Sequence, residues 1–87
     1  MEEQFYYARV VRGLIGDDHF SKMLASKIFD YFYKLSDSTK TAFWKAVIHR
    51  INEGVTDIEK LIRFADTWME LYRQFKNAIH DSNILES

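Results

Sequence analysis

From Ile58 to Ile79 the apolar residues Ile58, Leu61, Ile62, Ala65, Trp68, Met69, Tyr72, Phe75 and Ile79 recur at intervals of three and four. At about 100° per residue they fall within an arc of roughly 140°, the width of a helix face turned toward a core. Phe64 and Leu71 lie just outside that arc. With Trp68 and Phe75 they form a second ridge at i, i+4, i+7 and i+11, the spacing of a helix-pairing seam. Three earlier segments keep the same period. Tyr7, Ala8, Val11, Leu14 and Ile15 share one face of a first helix, and Phe20, Leu24, Ile28, Tyr31, Phe32 and Leu35 share one face of a second. Phe43, Trp44, Val47, Ile48 and Ile51 do so in a third. Strand-type alternation is absent from the whole chain.

The punctuation between these stripes is local chemistry. Gly16 suits the position just beyond a first helix, where an unusual backbone conformation ends the hydrogen-bond ladder. Asp17 or Asp18 can then cap the second helix, and Ser36 or Asp37 the third, by accepting from free backbone N–H groups. Gly54 marks the end of the third helix. Thr56 with Glu59 three residues on reads as a capping box, and Asp57 adds negative charge at the positive end of the helix dipole. The pattern predicts an all-α fold, a compact bundle of four helices over about 3–15, 18–34, 37–53 and 56–80. Connections of two to four residues bring neighbouring helices into antiparallel or sharply angled contact. One helical domain is expected over 1–80. The last helix is much longer than the first, so residues from Arg73 to His80 should overhang the bundle. Residues 81–87 are expected to fray as a flexible tail, with Ile84 and Leu85 able to tuck back.

Composition narrows the picture. A chain of 87 residues buries only about 60% of its unfolded surface, a thin margin for stability. Seven Phe, five Tyr and two Trp compensate with large apolar area per side chain. The absence of Cys removes disulfides and thiolate chemistry and fits a reducing, cytoplasmic setting. With no Pro and three Gly, almost nothing interrupts a helix outside the turns. No apolar run approaches the length of a membrane span and no charged-then-apolar leader opens the chain, so no membrane partner is expected. A formal net charge of -1 supplies no general attraction to nucleic acid.

Site chemistry is sparse. His19, His49 and His80 stand in no zinc-ligand spacing, and no metal or cofactor is expected. Ser36 and Ser38 sit where hydroxyls cap helices, and Asp17 with Asp18 follows a glycine as a solvated helix start. No base with an orienting partner emerges, so the chain does not read as an enzyme.

Apolar residues that miss the inward arcs are more informative. Phe29 and Tyr33, four apart, point about 100° to 140° from the centre of the second stripe. Together with Phe64, Trp68, Leu71 and Phe75 they make a candidate partner-binding surface, since aromatic side chains rimmed by charge anchor protein interfaces. Phe5 and Tyr6 also leave the face of the first helix, with Arg9 one turn beyond Phe5. They serve either as a second anchor or as packing for a sandwiched helix. The one charge asymmetry is Lys40, Lys45, His49 and Arg50, a stretch between Ser38 and Asn52 with no acidic residue. These four are the candidate nucleic-acid contacts.

One local pattern points toward a family. Leu35-Ser36-Asp37, Phe43-Trp44, Ala46, His49-Arg50 and Glu53 resemble the central helix of the Hha and YmoA family of small expression modulators, which act by binding the nucleoid protein H-NS. The resemblance spans residues 35–53; the chain lacks the proline of that family's C-terminal end, and its long last helix has no counterpart there. It implies a protein partner. The expected function is that of a small non-catalytic binding protein, an adaptor, inhibitor or modulator, which docks an aromatic helix face on a larger protein or on a second copy of itself. The alternative is a transcription or nucleoid modulator that uses the basic helix 37–53.

Overall fold

The computed structural model describes the backbone of residues 3–86 and the side chains of residues 3–77. It is all-helical, with α1 over Glu3–Ile15, α2 over Asp17–Leu24, α3 over Ile28–Phe32, α4 over Asp37–Asn52 and α5 over Ile58–Glu86. Helix α4 is central, packing most extensively on α1 along one side and meeting α5 along another, while α2 and α3 lean on α5. No strand occurs among the described residues.

Three helix boundaries follow the expected chemistry closely. Gly16 (φ 91°, ψ 158°) ends α1 by donating its N–H to the Arg12 carbonyl at 2.8 Å, and its own carbonyl accepts from Phe20 N–H at 2.9 Å to begin α2. The backbone of Gly16, and not the side chain of Asp17 or Asp18, is therefore the cap; both aspartates fall inside the first turn. Ser36 caps α4, its Oγ accepting from Thr39 N–H at 3.3 Å. At the other end of α4, Val55 N–H reaches the Arg50 carbonyl at 3.1 Å and Gly54 N–H the Ile51 carbonyl at 2.9 Å. This pair of bonds around a glycine at φ 101° is a Schellman closure. Helix α5 starts one residue later than the box at Thr56 requires. Asp57 takes the cap position instead, its Oδ1 accepting from Glu59 N–H at 3.1 Å.

The helix expected over 18–34 is two. Between Ala25 and Lys27 the ladder tightens: Ser26 N–H bonds the Met23 carbonyl at 3.1 Å, Phe29 N–H the Ser26 carbonyl at 3.1 Å and Asp30 N–H the Lys27 carbonyl at 3.0 Å. Each of these bonds spans three residues, so each step turns the chain about 120° instead of 100°. The extra rotation carries Phe29 inward. Phe29 is 1% exposed, and its place among the partner-binding candidates is corrected to the core. Met23 is likewise fully buried although it missed the predicted stripe, and Leu14, expected inward, is 48% exposed.

Trp44 is the hub of that core. Its ring centroid lies 5.0 Å from Phe43, 5.5 Å from Phe32, 5.7 Å from Phe20 and 5.8 Å from Phe29. Aromatic pairs at such distances add about 0.5–1.5 kcal/mol each beyond simple burial. The Val11, Met23, Val47, Leu61, Ala65 and Met69 side chains fill the space around them. Among the described residues Gln4 and Thr41 are the buried polar ones. The Trp44 Nε1–H group is enclosed with no hydrogen-bond partner among the described residues.

Candidate interaction surfaces

Helix α5 belongs to the core through Ile58, Leu61, Ala65 and Met69, which recur every three or four residues and are all buried. Past Met69 the helix loses its cover. Between Glu70 and Asn77 only Tyr72 is even partly enclosed: its ring stacks on Trp68 at 5.8 Å, and its hydroxyl is hydrogen-bonded to that of Thr39 at 3.3 Å. Arg73 of α5 lies over the Tyr31 ring of α3 at 5.7 Å. Leu71 and Phe75, one turn apart, are 60% and 63% exposed. The side chains of residues 78–87 lie outside the described residues, and with them the expectation of a fraying tail over 81–87.

The six candidates for partner binding therefore separate. Phe29 is core. Phe64 and Trp68 are half-buried against the core cluster, with Trp68 edge-on to Phe43 at 5.4 Å. Leu71 and Phe75 face solvent from α5. Tyr33 is 62% exposed at the end of α3, where it joins Phe5 in lining a groove against α1. Phe5 and Tyr6 are both exposed, so α1 is not sandwiched at its start. Exposure of Leu14 had no sequence signal, because its spacing matches the buried face of α1.

Lys40, Lys45 and Arg50 do not share a face, whereas His49 lies one turn from Lys45 and beside Arg50. Lys40, Lys45 and Arg50 are five residues apart, so successive side chains leave α4 roughly 140° from one another. Each meets a ring on a different helix: the Lys40 Nζ lies 5.8 Å from the Phe32 centroid, the Lys45 Nζ 5.1 Å from Tyr7 and the Arg50 Cζ 5.2 Å from Phe64. Glu53 is paired with both His49 at 2.7 Å and Arg50 at 3.4 Å. A solvated basic stripe of the kind that follows a phosphate backbone is not formed by these residues.

Among the described residues no three His, Asp or Glu side chains are grouped to hold a metal ion, and no helix is long and apolar enough to cross a membrane. The chain matches no protein-family model, no curated protein and no solved structure, so the local resemblance over residues 35–53 gains no support from such comparisons.

Proposed function

We propose that this chain is a small non-catalytic helical binding protein that regulates or inhibits a larger protein by seating the Leu71–Phe75 ridge of α5 on it. The observation that supports this reading is the exposure of two large apolar side chains one turn apart, on a stretch of helix that has already left its own core. Covering a Leu or Phe side chain is worth about 1.5–3 kcal/mol, so two of them make a useful anchor when partly charged neighbours form the rim. Glu70, Arg73 and Lys76 supply that rim. The reading is of a protein working in a reducing compartment, in keeping with its lack of Cys.

The test is the double substitution Leu71→Gln, Phe75→Gln, followed by sedimentation, partner capture and thermal unfolding. Exposed substitutions change stability by about 0.5 kcal/mol or less, so the melting midpoint should stay within a few degrees of the parent. Association with a larger protein should be lost. A collapse of the fold, or association unchanged in a folded variant, would refute the assignment. Loss of a concentration-dependent dimer instead would show that the ridge pairs with a second copy.

A further inference from the structure

Residues of α1, α2 and α4 and the end of α3 come together around one hollow. Between them lies a groove of about 190 Å³, with Phe5 and Ala8 on one wall, Phe20 and Leu24 on the other, and Trp44 and Tyr33 also lining it. A cavity of roughly 150 Å³ with apolar walls accepts a benzene-sized body. This groove has room for one ring or branched aliphatic group. A second hollow of about 160 Å³ shares Phe5, Ala8 and Phe20 with it and adds Arg9 and Arg12. The apolar seat therefore adjoins a hollow lined by two arginines. Arg12 Nε is 3.1 Å from the Asp17 carboxylate, whereas among the described residues Arg9 is paired with no carboxylate.

We infer that this groove is a second recognition site, which takes an apolar side chain of a partner polypeptide flanked by acidic residues. Apolar walls select the inserted side chain, and Arg9, the cation beside them that is paired with no carboxylate among the described residues, selects the charge of what flanks it. Phe5 and Tyr33 decide between a polypeptide and a free small molecule. Both are more than half exposed at the groove, and a ligand that merely filled the cavity would leave their outer faces in water; a crossing chain covers them. The inference shares with the proposed function the premise of a protein partner, but uses none of the residues of α5.

The test is titration of the isotope-labelled full chain with two blocked pentapeptides, acetyl-Gly-Asp-Phe-Asp-Gly-amide and its counterpart carrying Lys in place of Asp, followed by nuclear magnetic resonance. The acidic peptide should produce saturable shifts at the amides of Ala8, Phe20, Leu24 and Tyr33 and at the Trp44 indole N–H, with a Kd of about 1 mM as befits a single inserted ring. It should bind about tenfold more tightly than the basic peptide at low salt, and Arg9→Gln should remove most of that preference while leaving the spectrum of the free protein dispersed. The same shifts should persist in the Leu71→Gln, Phe75→Gln variant, so the groove and the α5 ridge succeed or fail separately. Absence of saturable shifts, or equal binding of the two peptides, overturns the inference. N-acetylphenylalanine binding as tightly as the acidic peptide overturns it in favour of a small-molecule site.

Discussion

Phe29 and Tyr33 are a turn apart, and their rings are 6.5 Å from each other, yet they belong to different parts of the molecule. Phe29 touches Phe32, Phe43 and Trp44 and sees no water, while Tyr33 stands at the edge of α3 with most of its ring in solvent. Phe29→Ala should therefore cost about 3–5 kcal/mol, the range for emptying a buried aromatic site. Tyr33→Ala should cost about 0.5 kcal/mol or less. Denaturant titration of the two variants checks the contrast, and similar midpoints would contradict the burial. The same residues show why side-chain fate was only partly legible in the sequence. Helical spacing sorts residues by direction, and in the parts of α1, α4 and α5 that keep a regular ladder it found Val11, Phe43, Trp44, Val47, Leu61, Ala65 and Met69. It does not report which residues of a face a neighbouring helix covers, and Leu14 is exposed on a face that holds buried Val11.

Three helix ends were legible because one residue carries the chemistry of each, whereas the caps of α2 and α5 fell on neighbours of the expected residues. Gly16, Ser36 and Gly54 each act through their own backbone or hydroxyl, so each could be read from the string alone. The break at Ala25–Lys27 carries no such mark, having no Gly, no Pro and no residue at positive φ. It arises because packing Met23, Phe29 and Phe32 together outweighs the regular ladder, a tertiary preference that spacing does not encode. The glycines give the sharper predictions at this scale. Gly16 and Gly54 have open space where a Cβ would stand, so Ala at either position tests backbone conformation alone. Gly54→Ala should cost about 1 kcal/mol. Gly16→Ala should cost more, about 1–3 kcal/mol, because φ 91° with ψ 158° is a region that essentially only Gly occupies. Ser36→Ala, which removes the α4 cap, should cost about 1 kcal/mol. Thermal melts followed by circular dichroism rank the three, and the order Gly16 above Gly54 is the informative result.

At the scale of the whole molecule the chain is a helical bundle without a single proline. Slow refolding phases of tens of seconds in small proteins come mainly from proline isomerisation, and bundles rich in local contacts otherwise fold in microseconds to milliseconds. Stopped-flow refolding from denaturant should be complete without a phase of that slow kind, and its appearance would point to association or misassembly. The exposure on α5 was legible in part: Leu71, outside the inward arc, is exposed, while Phe64 and Trp68 of the same ridge pack on the core and Phe75, counted in the inward arc, faces solvent. The α1–α2–α3 groove was not legible, because it is lined by residues of separate helices whose meeting depends on the unmarked turn at Ala25–Lys27. Helix α5, about 43 Å long by the rise of 1.5 Å per residue, gives its first three turns to the fold and presents the next two to solvent. On the proposed function, recognition and folding fall on separate stretches of one rod. If Leu71 and Phe75 anchor a partner as proposed, substitutions on the outer stretch would exchange one target for another while the melting temperature stays put, and the choice of target would drift without first acquiring compensating changes in the interior.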